Sequence, residues 1–278
     1  MTAGNIWMDA PPGERDRRTG FGRFFLPGPT EVRPAVLGAQ AQPMIGHRGA
    51  AMNALMDRLE AGLKPVFRTQ RPVYVSTSSA TGLMEAAVRN GVERRALALV
   101  NGAFSERFAD IGAAAGLEVE TLDVGWGGVH TPDRVADALA QGRFDAVVVV
   151  HSETSTGVLN PVAELARVAH DAGALLLVDA VSSLAGCPVE PDAWGLDFVL
   201  TGAQKALALP PGLTFGVAQP SLLERARRST RRGTYFDLLD FEAQLAKSQT
   251  PNTPALSLLY ALERQLGDIA AEGIEARW

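Results

Sequence analysis

Sulfur chemistry is nearly absent from this sequence, which carries a single cysteine, Cys187, in 278 residues. One thiol excludes an internal disulfide and supplies no metal cluster. It follows Ala185-Gly186 and reads as a small core residue. Basic blocks are also missing. Lys and Arg number 26 against 31 Asp and Glu, a net charge of −5, so nothing marks a nucleic-acid partner. No apolar run approaches the ~20 residues that a membrane-spanning helix needs. The N-terminus lacks the apolar core of a signal peptide, which makes the cytoplasm the expected address. Internal repeats and low-complexity tracts are lacking too. What is present, 46% hydrophobic and 21% charged residues, is the composition of an ordinary globular chain with one large or two modest domains.

Residues 1–22 mix proline, glycine and charge without periodicity and are expected to form a mobile or partner-dependent arm. Pro27-Gly28-Pro29 then forces a rigid turn, a shape that can present bare N–H groups to a ligand but more often only connects. Met52, Leu55, Met56, Leu59 and Leu63 make one helical stripe over 50–63. His47, at the entry to that helix, reads as a structural or interface histidine rather than a catalyst. A strand at 73–75 leads into the hydroxyl-rich run 76–82 and a helix at 83–90. Free N–H groups and the positive end of the helix dipole suit such a start to a phosphate. The same residues serve equally well as a plain helix cap, which is their commoner use.

From here strands and helices alternate. Strands are expected at 96–100, 118–122, 145–150, 174–179 and 197–200, with helices at 104–116, 132–141 and 161–172. Val147–Val150 and Leu175–Val178 are apolar throughout, as in parallel strands covered on both faces. The pattern predicts a doubly wound α/β domain, in which ligands bind beyond the carboxyl ends of the strands. Five polar clusters fall at such ends: 76–81, Asn101-Gly102, 151–157, Asp179 and Gln204-Lys205. After a Pro210-Pro211-Gly212 turn, a strand is expected at 214–217. A basic helix with a solvated charged face should follow at 221–232, and a long helix from 255.

Two of those ends carry groups that are seldom buried unpaired, Asp179 and Lys205. Both side chains could simply reach solvent. They also match a pyridoxal phosphate (PLP) site, where a lysine carries the cofactor as a Schiff base and an acid pairs with the pyridinium nitrogen.

Pro27-Gly28-Pro29-Thr30, His151-Ser152-Glu153-Thr154-Ser155-Thr156-Gly157, Asp179-Ala180-Val181-Ser182-Ser183 and Thr201-Gly202-Ala203-Gln204-Lys205 occur in this order. In order and spacing they resemble the class V aminotransferases, fold-type I PLP enzymes, and most closely the alanine/serine–glyoxylate branch. The resemblance spans about 25–278. It implies an α/β large domain at 23–254, with a mostly parallel seven-stranded sheet sandwiched by helices, and pyridoxal 5'-phosphate as cofactor.

The resemblance also implies roles. Lys205 would form the Schiff base and shuttle the proton, and Asp179 would keep the pyridine nitrogen protonated. Ser79, Ala80 and Thr81 would hold the phosphate, with Gln204 beside them. Thr154 would bond the ring's 3′ oxygen, and Phe104 would stack on the ring. Gly28 would lie near the substrate carboxylate. Thr253 would reach the phosphate of the other subunit of a homodimer with shared sites. Thr250 stands where relatives have a tyrosine on that phosphate.

The family further implies a small C-terminal domain beyond Trp278, carrying an arginine for the substrate carboxylate. Residues 255–278 would begin the helix into it, leaving Leu266, Ile269, Ile274 and Trp278 without the surface they pack on. The expected reaction moves an amino group from alanine or serine to glyoxylate or pyruvate. The rivals are a class V lyase or cysteine desulfurase, for which Cys187 lies too close to the Asp179 strand, and a truncated, non-catalytic PLP-binding homologue. A dinucleotide-binding dehydrogenase is weaker, because no Gly-x-Gly-x-x-Gly follows the first strand.

Overall fold

The computed structural model describes residues 25–278, and the arm expected at 1–22 lies outside the described residues. Helices α1 (Pro34–Gly38) and α2 (Ala50–Phe67) precede β1 (Tyr74–Ser76). Alternation then runs through α3 (Ala80–Gly91), β2 (Arg95–Val100), α4 (Ala103–Ala114), β3 (Glu118–Asp123), α5 (Pro132–Leu139) and β4 (Ala146–Val150). A short hairpin, β5 (Ser152–Glu153) and β6 (Val158–Leu159), precedes α6 (Val162–Asp171) and β7 (Leu175–Asp179). Next come α7 (Pro191–Trp194), β8 (Phe198–Gly202) and β9 (Thr214–Ala218). The chain continues through α8 (Pro220–Arg228), α9 (Leu238–Leu245), α10 (Leu256–Glu272) and α11 (Ile274–Arg277).

Seven strands form one sheet in the order β1-β9-β8-β7-β4-β2-β3. Only β9 runs against its neighbours; the other pairings are parallel. Reversal at β9 occurs twice, so β1 points the same way as β8. The carboxyl ends of β1, β2, β4, β7 and β8 therefore lie along a single edge.

Central strands β4 and β7 are buried at every position. Each of their Val and Leu side chains contributes roughly 1.5–3 kcal/mol on burial, and β-branched residues fit the pleated surface well. Edge strand β3 is instead half-exposed, with Glu118 and Asp123 in solvent. Helix α3 packs on β7, β8 and β9 and against α4 and α8, while α6 covers β4 and β7 beside α5.

Several local expectations change. Helix α3 starts at Ala80, not Leu83, so Ala80 and Thr81 lie in its first turn. The hairpin at 152–159 and helix α9 are additions; α9 is capped by Asp237, whose carboxylate accepts the Leu239 N–H. The basic helix stops at Arg228. Its charges are not all solvated: Arg225 is drawn in between Glu93 and Asp145 with its side chain only 14% exposed. Cys187 is half-buried in the turn after β7 rather than part of the core. The largest change is at the C-terminal helix. Helix α10 packs back on α1 and α2, and Leu266, Ile269 and Ile274 are 5%, 2% and 8% exposed. Trp278 lies under the Arg68 guanidinium, 5.2 Å from its ring centre. The apolar stripe expected to lack a partner is part of this domain's core.

Candidate active site

Asp179 is the last residue of β7 and is 2% exposed. Its Oδ1 accepts the Val181 N–H at 2.7 Å. Burial pushes this carboxyl up to about 7, against the pull of the Val181 N–H; the charge of Glu153 adds to the rise, while Lys205 and Arg107 oppose it. A carboxylate this buried and this sparsely bonded suits a ligand that brings a cationic N–H.

Lys205 follows β8 by three residues and is 9% exposed. Burial pushes its amine pKa down, with the Asp179 charge opposing, which favours the free amine that a nucleophilic lysine needs. Its stem runs over Gly28. A Cβ at Gly28 would stand 2.5 to 2.8 Å from Lys205 Cδ, Cε and Nζ, and φ there is +154°. Glycine is therefore required for this close approach. Thr30 holds the same loop down: its N–H donates to Gln204 O at 2.9 Å and its hydroxyl to Lys205 O at 2.8 Å.

Phe104 enters from the start of α4, and its ring centre lies 5.8 Å from Lys205 Nζ. The Arg107 guanidinium lies 5.2 Å from the same ring. Phe104 is set in place by Glu153, a fully buried acid with no assigned role in the sequence reading. The Glu153 carboxylate accepts N–H groups of Phe104 and Ser105 at 3.2 and 2.9 Å, and the Ser155 hydroxyl at 2.7 Å. It thus caps α4 from a neighbouring strand end, with the charge on the positive end of the helix dipole. Burial alone would raise its pKa, but the donors from Ser155, Ser105 and Phe104 outweigh this and hold it below the usual range. Gly102 leaves room for this acid, since a Cβ there would fall 2.6 Å from Glu153 Cγ. An acid inside a hydroxyl-rich strand-end motif was the available signal. Thr154, next in the chain, pairs its hydroxyl with that of Ser182 at 2.5 Å, in the turn after Asp179.

Ser79 sits at the N-cap of α3 with extended backbone, yet its side chain makes no capping hydrogen bond. Ser79 and Thr81 are exposed and Ala80 is buried. First-turn N–H groups have no partner within a helix, and here no side chain caps them. Such a helix start can accept an anion. Gln204 stands beside this helix start: a Cβ at Gly202 would meet Gln204 Oε1 at 3.0 Å and Ala80 Cβ at 3.5 Å.

Thr253 is not brought to this cluster by hydrogen bonds within the described residues. It is exposed and lines a depression with Ser76, Thr77, Tyr235 and Thr250. Thr250 spends its hydroxyl on Asn252 O at 2.7 Å. His151 turns its ring to Ser183, with Nδ1 and Oγ 3.0 Å apart, and burial lowers its pKa to about 4. It is a neutral structural group under Asp179, whose carbonyl accepts the His151 N–H at 2.8 Å.

A lysine beyond one parallel strand, a buried acid beyond the next, an aromatic ring beside the amine and an open helix start define a PLP-dependent enzyme of fold type I. The comparisons agree. The aminotransferase class-V profile matches residues 37–277. An uncharacterized aminotransferase of Methanocaldococcus jannaschii is 41% identical over 91% of this chain and 67% of its own length. The serine–glyoxylate aminotransferase of Methylorubrum extorquens is 34% identical over 93% of this chain and 68% of its own. Alanine–glyoxylate aminotransferase from Nostoc sp. superposes with a TM-score of 0.87 at 31% identity, covering 95% of this chain and 73% of that one. This chain belongs to the class V aminotransferases, and its cofactor is pyridoxal 5'-phosphate. It spans about two thirds of the length of the relatives it matches.

Proposed function

We propose that this protein moves an amino group from a small amino acid, alanine or serine, to a small 2-oxo acid, glyoxylate or pyruvate. The observation that carries this reading is the convergence of Lys205, Asp179 and Phe104 at one sheet edge. The glyoxylate aminotransferases among its relatives support the substrate class.

When bound, the cofactor supplies an aldehyde that condenses with amines and a ring that accepts the electrons left at the substrate Cα. Lys205 would hold the cofactor, and its amine would be the group that takes the proton from the substrate Cα. Burial lowers its pKa, in the direction that favours the uncharged amine both tasks need. Asp179 would accept the ring N–H and keep that nitrogen protonated. Phe104 would cover one ring face and keep water from it. Ser79, Ala80 and Thr81 would hold the phosphate with help from Gln204, and Thr154, paired with Ser182, would bond the ring hydroxyl. Gly28, packed against the Lys205 stem, would place its loop near the substrate carboxylate. Thr253 serves the phosphate of a second subunit, which makes the working unit a homodimer with shared sites.

A desulfurase reading has less support. Burial raises the pKa of the Cys187 thiol, whereas a nucleophilic cysteine needs a lowered one.

The test is borohydride reduction of the purified chain loaded with PLP, followed by peptide mapping. The adduct should sit on Lys205, and alanine plus glyoxylate should turn over the visible band before reduction. An adduct on Lys64 or Lys247, or a loaded protein inert to alanine and serine, would sink the proposal.

A further inference from the structure

The loop after β8 leaves three successive carbonyls, those of Lys205, Ala206 and Leu207, outside the sheet. Each is taken by a side chain from a distant segment. Thr30 Oγ1 donates to Lys205 O at 2.8 Å, Arg277 Nη2 to Ala206 O at 2.8 Å, and Gln265 Nε2 to Leu207 O at 2.7 Å. Backbone bonds close the loop on itself, Ala208 N–H to Lys205 O at 2.8 Å and Leu209 N–H to Ala203 O at 3.0 Å. Ala208 takes the left-handed conformation at φ +51° to permit this.

The three donors are themselves anchored. Gln265 is 1% exposed, a polar side chain on the buried face of α10, and burying an amide is unfavourable unless it is bonded. Both of its ends are used: Oε1 accepts the Arg33 guanidinium at 3.0 Å, and Arg33 pairs with Asp268 at 2.7 Å. Arg277 pairs with Glu272 at 2.6 Å. The loop is thus held by the Pro-Gly-Pro turn on one side and by α10 and α11 on the other.

We infer that Thr30, Gln265 and Arg277 form a three-point clamp that aims Lys205, so that α10 and α11 are positioning elements for covalent capture of the cofactor. This rests on the reading of Lys205 as the cofactor lysine. The lysine side chain is long and flexible, so the direction in which it reaches is set at its Cα. That direction depends on the peptide planes at 205–207, and those planes are oriented by the three donors. The phosphate contacts at 79–81 belong to a different strand end, and only Gln204 links them to the clamped loop, so the clamp bears mainly on the covalent step.

The separation gives the test. Pyridoxal 5'-phosphate can bond covalently to Lys205, whereas pyridoxamine 5'-phosphate, an amine, cannot. Dissociation constants for both are measured by absorbance titration on the full chain and on Thr30→Val, Gln265→Leu and Arg277→Met, with Arg277→Lys as the rescue variant. The clamp predicts weakening for the aldehyde by about tenfold or more, in line with the cost of misplacing a reacting group by about 1 Å. Pyridoxamine phosphate affinity should change by less than about threefold (under 0.7 kcal/mol). Arg277→Lys should recover part of the loss. Equal weakening for both ligands, or none for either, overturns the clamp. Should Gln265→Leu fail to fold, Thr30→Val and Arg277→Lys, which keep nearly the same volume, decide alone. Wild-type protein that binds both forms equally and yields no Lys205 adduct overturns the lysine assignment and the clamp with it. A normal adduct with unchanged affinity ratios in the variants overturns the clamp only.

Discussion

Replacing Asp179 by Asn should stabilise the cofactor-free protein in alkaline solution even as it removes the group the ring nitrogen needs. The carboxyl is 2% exposed, accepts the Val181 N–H, and is raised from 3.8 to about 7. At ~1.4 kcal/mol per pKa unit, ionising it in the folded protein costs on the order of 4 kcal/mol more than in the unfolded chain. The folded pKa lies above the unfolded one, so the folded protein holds this proton more tightly. Stability from this group is therefore full below pH 3.8, declines as pH rises to about 7, and stays low above it. An amide of the same shape never ionises and can still accept the Val181 N–H. Urea unfolding of both cofactor-free proteins at pH 4, 6 and 8 should show the variant gaining on the wild type as pH rises. With saturating PLP the order should reverse or the gap close, because the wild-type carboxylate then pairs with the ring N–H. A wild type that is the more stable at pH 8 without cofactor, or a gap that ignores pH, would refute the account of Asp179 as an acid whose burial serves a ligand.

Gly28→Ala should lower stability, because φ is +154° there and strains any side chain, and should cut borohydride trapping on Lys205 about tenfold or more in the protein that stays folded; undiminished trapping would contradict the packing. Gly102→Ala pushes a methyl against Glu153 and should destabilise by about 1–3 kcal/mol, read from urea midpoints, and a neutral result would show that the Glu153 cap is slack. His130 is fully buried, and burial lowers its pKa to about 4 against the opposing pull of the Val100 backbone and the Asp123 charge. Its contribution is lost as pH falls from 6.5 to about 4. His130→Leu should therefore lose less stability than the wild type between pH 7 and 4.5, and parallel losses would argue against an uncharged buried imidazole.

Much of the fold was legible because its determinants are local. Runs such as Val147–Val150 are apolar at every position, which only a strand covered on both faces explains well, and they appear as β4 and β7. Strand-end clusters could be aligned on one edge without coordinates, since parallel strands all point the same way. Asp179 and Lys205 stood out because acids and lysines seldom terminate such runs. Phe104 was placed by resemblance, and the structure brings it to the amine.

What the tertiary structure decided depends on contacts between segments far apart in the chain. Glu153 caps a helix whose first turn lies 48 residues earlier, and no local pattern distinguishes an acid that meets a helix dipole from one that meets water. Gln265 reaches Leu207 across 58 residues and Arg277 reaches Ala206 across 71. The apolar stripe of α10 could be read as helical from its spacing, but spacing does not name the surface that covers it, and that surface is α1 and α2. Periodicity and strand-end chemistry are properties of neighbouring residues, so the sequence alone pointed to the parallel strands, their carboxyl-end edge and the candidates Asp179 and Lys205, while the strand order and the antiparallel β9 came only with the fold. The partners that orient that pair are chosen by how the packed layers bring distant side chains within hydrogen-bonding reach, and only the folded chain determines that.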